Sequence, residues 1–283
     1  SGVTLAAEGG AHQSITTPSV GLEQPGCITY EPAFALDTEW ALLSLLAQLG
    51  KPGGSSGYLR LSTRSVDQSL ASVPQDPAAR EHRRAQVVAG AYVLRRSSRP
   101  PSLTIAAMGA VVTEAIEAAE RLETLGTAVD VVCITSPGQL FDAVLNRSGR
   151  NDRSSWILNS AFPADRRAPL VTVLDGHPHT LAFLAGIHQV PSRHLGVTQF
   201  GQSGDLAEVY RLHGLPVFRA AGLPCPIGTS PFHLWLRHTD GWGSCPQSCR
   251  LARMNILLRP AIRPPIVRHK RPIISHAASW GPS

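Results

Sequence analysis

The run Glu8-Gly9-Gly10-Ala11-His12-Gln13-Ser14-Ile15-Thr16-Thr17-Pro18 holds the residues whose types and spacing best suit chemistry. Glycines ahead of a histidine let the backbone come close to a ligand. An imidazole on such a loop can donate to a substrate carbonyl or carboxylate and move a proton near neutral pH. His12 is therefore the candidate catalytic residue, although on these residues alone a surface histidine on a Gly-rich loop is the plainer reading. A second pair, His177-Pro178-His179 after Asp175-Gly176, has a spacing that could suit a metal. No carboxylate or third histidine stands at a fixed helical offset from it, so a surface turn is the better reading. Glu114, Glu117, Glu120 and Glu123 recur along one stretch and read as a solvated helix face, not as an acid–base pair.

These residues need elements to hold them. Cys27 to Tyr30 is β-prone and stops at Glu31-Pro32. Asp37 is a plausible N-cap for a helix from Thr38 to Leu49, ended by Gly50 with Pro52 beyond. Tyr58 to Ser62 follows a Gly/Ser turn as a second strand, which makes a βαβ unit with a parallel sheet. Val66 to Arg84 is polar, contains Pro74 and Pro77, and reads as an interdomain linker. After it come strand character over Gln86–Leu94 and a buried strand at Ser102–Ala107. A helix follows from Gly109 to Thr124, with Val112, Ala115, Ile116, Ala119 and Leu122 on its inner face. Val129–Ile134 is the next buried parallel strand, and Ala168–Leu174, Leu181–Ala185 and Leu195–Val197 are short apolar runs before a closing helix at Asp205–His213. The fold class is α/β.

With 283 residues and 43% hydrophobic content the chain can build substantial cores. No apolar run approaches the roughly 18 residues of a membrane span, and the N-terminus lacks the order of a secretory signal, so a cytoplasmic setting is expected. The net charge of +6 is unevenly placed: residues 1–214 hold 17 Lys and Arg against 19 Asp and Glu, whereas residues 215–283 hold 9 against the single Asp240. That last segment also holds 10 prolines in 69 residues, with scattered Trp, Cys and Arg and no sustained period. Its charge comes without a recognisable fold, which leaves nucleic acid an unfavoured partner. Cys27 and Cys133 read as reduced core cysteines. A zinc site from Cys225, Cys245 and Cys249 with His233 or His238 lacks a second compact ligand pair, and chance composition is preferred.

The histidine loop, followed by Ile28-Thr29-Tyr30-Glu31-Pro32-Ala33, closely resembles the pyrimidine-binding domain of the homodimeric pyruvate dehydrogenase decarboxylating component, and the loop also looks like the Gly/His/Gln loop of transketolases. The resemblance continues through Leu61-Ser62-Thr63-Arg64, through Ile105 to Asp130 with Thr135-Ser136, and through Gly196 to Gly204, so it spans roughly residues 3 to 214. It implies a partial pyrimidine-binding domain with a parallel sheet over residues 1–82, a transketolase-like C-terminal α/β domain over 83–214, and an irregular basic tail over 215–283. In that family the histidine at the position of His12 faces the substrate and assists proton transfer. Gln13, on the same loop, is a candidate substrate-binding residue, with orientation of the histidine as the only role in the alternative reading of both Gln13 and Glu8. Arg64 falls near a substrate-side arginine of transketolases, with a structural salt bridge as the preferred reading. The Phe200 to Gly204 run before Asp205 reads as turn and capping chemistry.

The family's diphosphate- and Mg²⁺-binding Gly-Asp-Gly start and downstream Asn are not found, nor is the glutamate that protonates the aminopyrimidine ring. Thiamine diphosphate and Mg²⁺ are thus expected in the intact enzyme but not on this chain alone, which should be inactive by itself. The break near residue 215 fits an out-of-frame reading of the gene or a tail without fixed structure. The leading expectation is the C-terminal portion of a pyruvate-type 2-oxo acid dehydrogenase that passes an acyl group to a lipoyl-bearing acyltransferase. It would act as a homodimer or beside a cofactor-binding partner half. The alternatives are a transketolase-like sugar transferase, disfavoured by the lack of an acidic residue and a threonine just before the histidine, and a non-catalytic interaction module of a split enzyme.

Overall fold

The computed structural model describes residues 2–151 and 154–215; the expectations for the tail beyond, including its cysteine–histidine set, lie outside the described residues. The first sheet is the βαβ unit read from the sequence. After a short helix α1 (Val20–Glu23), strand β1 (Cys27–Tyr30) leads through helix α2 (Ala35–Gln48) to strand β2 (Ser56–Leu59), and β1 and β2 pair in parallel from Cys27↔Ser56 to Tyr30↔Leu59. Tyr30, Ala41 and Leu45 fill the space between helix and sheet. Asp37 is not the N-cap of α2, a position taken by Phe34. Its carboxylate is buried and accepts from the Tyr92 hydroxyl at 2.7 Å, so a tertiary hydrogen bond claims the group that was expected to cap the helix. Cys133 is buried as expected, whereas Cys27 is only half-buried; both are free thiols.

The second sheet has the order β3-β5-β4-β6-β7, built from β3 (Ala91–Arg95), β4 (Leu103–Met108), β5 (Val129–Ile134), β6 (Leu170–Leu174) and β7 (Ser192–Leu195). β3 runs antiparallel to β5, and the other pairings are parallel. Every residue of β4, β5 and β6 is buried, as expected where crossovers put helices on the sheet faces. Between β4 and β5 runs α4 (Val112–Thr124), whose five expected inner residues are all buried. Met108, Ile134, Leu140, Leu158, Leu174 and Leu181 share one core cluster.

Several elements differ from expectation. The segment read as a linker becomes, from Pro77, helix α3 (Pro77–Ala89). Asp76 caps it by accepting from the Ala79 amide at 2.8 Å, and Gly90 closes it at φ 113°. The expected boundary after residue 82 therefore falls inside a helix, and the strand expected from Gln86 begins only at Ala91. Helices α5 (Pro137–Arg147) and α6 (Trp156–Ala161) were not foreseen. The apolar run Leu181–Ala185 lies in the short helix α7 (His179–Ala182) and the 3-10 turn that follows. The last helix, α8 (Leu206–Leu212), is capped by Asp205, as read from the sequence. Glu114 does not point to solvent: its side chain is 7% exposed and pairs with Arg64 at 2.6 Å.

One feature of the topology matters for the site. The residues that follow five parallel strands, Glu31 after β1, Arg60 after β2, Gly109 after β4, Thr135 after β5 and Asp175 after β6, meet at one polar junction. Arg60 is ion-paired with Glu31 and donates to the Asp175 carbonyl oxygen at 2.9 Å. The Glu31 amide donates to the Thr135 carbonyl at 2.8 Å. A Cβ on Gly109 would stand 2.5 Å from the Glu31 carboxylate, and its φ of +69° is one that a side chain disfavours.

Candidate functional site

The N-terminal loop carrying His12 lies over this junction. At its start, Asp175 accepts from the Val3 amide at 2.7 Å and the Thr4 amide at 3.1 Å. Its middle is tied to the segment before α8, where the Gly204 amide donates to the Ala6 carbonyl and the Ser203 hydroxyl to the Ala7 carbonyl, both at 2.9 Å. At its far end Arg60 donates to the Ser14 carbonyl at 3.0 Å and the Thr17 hydroxyl at 3.2 Å, and the His177 amide donates to the Ile15 carbonyl at 2.8 Å.

Between these ties, Gly10–His12 forms a single 3-10 turn entered through Gly9 at φ 82°. The turn lifts His12 off the surface with its side chain 64% exposed, and Nδ1 stands 3.9 Å from a Glu8 carboxylate oxygen. That separation is too long for a hydrogen bond, and between exposed groups it is a weak ion pair. The Phe200 ring lies against Gly10, where an added Cβ would come within 2.2 Å of it, and is itself 69% exposed. The loop thus presents an exposed imidazole beside a carboxylate, with an aromatic ring packed against the same turn. Such a group can donate to, or take a proton from, a ligand that approaches from solvent.

The other expected site residues face elsewhere. Gln13 is buried, and its amide donates to the Leu5 carbonyl at 2.9 Å and the Gln202 carbonyl at 3.1 Å, which makes it a tie under the turn. Arg64 joins α4 to α8 through Glu114 and through the Tyr210 hydroxyl at 3.4 Å, with its guanidinium over the Tyr210 ring. That is the structural salt bridge preferred from sequence. His177 and His179 face each other with their Nδ1 atoms 2.5 Å apart, and His179 Nε2 is 3.4 Å from Glu23. Among the described residues no three His, Cys, Asp or Glu side chains converge as a divalent ion requires.

Sequence reasoning passed over Glu31, Arg60 and Asp175. Glu31 is 6% exposed, and burial pushes its carboxyl up to about 7, the nearby Asp175 adding to the rise and Arg60 opposing it. Asp37, behind the junction, is pushed up to about 6 by burial against the pull of its Tyr92 hydrogen bond and of Arg83. The available signal was positional for two of them, since Glu31 and Asp175 each directly follow a strand-like run; Arg60 was hidden inside the run read as Tyr58 to Ser62, which the structure ends at Leu59.

Residues 90–216 match the family described as the transketolase-like TK C-terminal domain. Among solved structures the chain is similar to transketolase from Leishmania mexicana, with 19% identity and a TM-score of 0.62 over 88% of this chain and 31% of that one. It is likewise similar to transketolase from Pichia stipitis, with 20% identity and a TM-score of 0.55 over 76% of this chain and 27% of that one. The chain therefore spans less than a third of the length of these enzymes. No curated protein matches the sequence. The described chain has a transketolase-like α/β fold, and its residues 90–216 match the transketolase-like C-terminal domain.

Proposed function

We propose that the chain supplies the substrate-facing histidine loop and the C-terminal domain of a thiamine-diphosphate-dependent enzyme that transfers a two-carbon unit in the manner of a transketolase. The observation that carries this reading is the exposed His12 imidazole on a Gly-rich turn tied down on both sides. The sequence argument against a transketolase was the missing acidic residue and threonine just before the histidine; Glu8, four residues earlier and 3.9 Å from His12, places a carboxylate there but does not replace the threonine. In this role His12 donates to the substrate carbonyl or hydroxyl and moves the proton that the reaction transfers, with the Glu8 carboxylate beside it. The cofactor supplies the carbon–carbon chemistry in the whole enzyme. Among the described residues no set of donors converges as its diphosphate-bound metal requires, so the role proposed for them is binding and proton handling.

A further segment is needed to bring the cofactor. The first sheet has two parallel strands, β2 is exposed over most of its length, and Leu42, Leu43 and Leu46 of α2, with Leu49 just past its end, are exposed. Parallel sheets are ordinarily covered on both faces, which supports a partner half or an additional stretch of the same polypeptide over this surface.

A second reading, oxidative decarboxylation of pyruvate or another 2-oxo acid with acyl transfer to a lipoyl partner, is favoured by the sequence runs Ile28–Ala33 and Gly196–Gly204. The test is to assemble the chain with the segment that binds the diphosphate and assay two substrates. Transfer from a ketose phosphate to an aldose phosphate is the expected result. Pyruvate-dependent reduction of an artificial electron acceptor would select the second reading, and neither activity in a cofactor-loaded assembly would overturn both.

A further inference from the structure

We propose that Arg60 and Asp175 are positioning residues for His12: together they hold both feet of its loop, so that the two sheets jointly set where the imidazole stands. Asp175 takes the first foot through the Val3 and Thr4 amides and the Thr4 hydroxyl. Arg60 takes the second foot through Ser14 and Thr17, and the same guanidinium reaches the Asp175 carbonyl. His177 continues the clamp, since its amide donates to the Ile15 carbonyl at 2.8 Å. A Cβ on Gly2 would stand 2.5 Å from Asp175, and one on Gly176 would be 2.6 Å from Pro18 and 3.0 Å from the Ile15 carbonyl, so backbone packs on backbone at both feet.

Three features make this a positioning device and not ordinary loop packing. Arg60 and Asp175 are 4% and 2% exposed, so their hydrogen bonds do not compete with water. Arg60 uses its planar fork on Glu31, Ser14 and Asp175 and its Nε on Thr17, and no other side chain offers that set of donors in fixed directions. The two residues end parallel strands of different sheets, β2 and β6, so the loop can take its shape only when the two sheets are correctly apposed. His12 itself touches none of these groups and is held through the backbone on either side of its turn.

The idea rests on the reading of His12 as the substrate-facing residue, but its test does not need turnover. Amide hydrogen exchange and the imidazole resonances of the ¹⁵N-histidine-labelled full chain would be compared between the parent and Asp175→Ala. The expected result is exchange faster by roughly tenfold or more across Leu5–Gln13, a shifted His12 resonance, and unchanged exchange in β4. Exchange that stays the same in the loop, or that rises equally in the loop and in β4, would overturn the proposal. Should Asp175→Ala fail to fold, Asp175→Asn keeps the size and one acceptor and reads the same contrast at smaller amplitude. Arg60→Lys keeps the charge without the fork, and is expected to free Ser14–Thr17 while Val3 and Thr4 stay protected. In the assembled enzyme a loosened loop should lower kcat with little change in KM. A loosened loop with unaltered turnover would leave the clamp standing and count against the role of His12 instead.

Discussion

Replacing Glu31 by Gln should change how stability depends on pH. In the folded chain Glu31 holds its proton up to about 7, against an ordinary value of 4.5. Between those values the folded state binds more protons than the unfolded state, so stability falls as pH rises. The contribution is fully present below 4.5 and is lost as pH climbs through about 7. At about 1.36 kcal/mol per tenfold change in proton affinity, the whole effect is about 3 kcal/mol, of which about 2.5 kcal/mol falls between pH 5 and pH 8. Asp37, raised to about 6, adds a slope of the same sign that the variant keeps, so the difference between parent and Glu31→Gln isolates Glu31. Urea unfolding followed by tryptophan fluorescence from pH 5 to pH 8 gives the two curves. The parent should lose about 2 to 3 kcal/mol more than the variant across this range. Parallel curves would refute the reasoning, and a difference of the opposite sign would mean that the pull of Arg60 outweighs burial.

Other substitutions test neighbouring statements. Tyr92→Phe leaves the Asp37 carboxylate buried without its hydroxyl donor and should cost about 1–3 kcal/mol in urea unfolding at neutral pH. Arg64→Met strands Glu114 in a buried site and should cost about 3–5 kcal/mol, most of which the double variant Arg64→Met/Glu114→Leu should recover. Gly109→Ala forces a side chain to φ +69° and against Glu31, and should lower the unfolding midpoint more than Gly126→Ala, whose surroundings are open.

How much of this was legible depends on what each element shows to the chain around it. β5 is a fully buried, mainly apolar run and β1 a half-buried β-prone one that stops at Glu31-Pro32, and the limits of both were read correctly because nothing else competes for such patterns. α4 was legible from its 3–4 spacing, yet Glu114 at its start was misread: helical period predicts a face, not the Arg64 that waits there from a distant loop. α3 was taken for a linker because its polar composition and flanking prolines look like one. The Asp76-Pro77 pair was a start signal, and the buried face holds little beyond Arg83 and Val87. His12 could be singled out because glycines and a histidine make a local pattern. The junction of Glu31, Arg60 and Asp175 could not, because its members lie up to 144 positions apart and meet only when two sheets bring their strand ends together.

The central claim is that His12 is the group this chain presents to substrate, and kinetics of the assembled, cofactor-loaded enzyme with His12→Ala test it most directly. The side chain is mostly exposed, so its removal should leave unfolding within about 0.5 kcal/mol of the parent. The account predicts that kcat falls by about a hundredfold or more while cofactor binding is retained. Turnover equal to that of the parent, in a variant that folds and binds the cofactor normally, would contradict it.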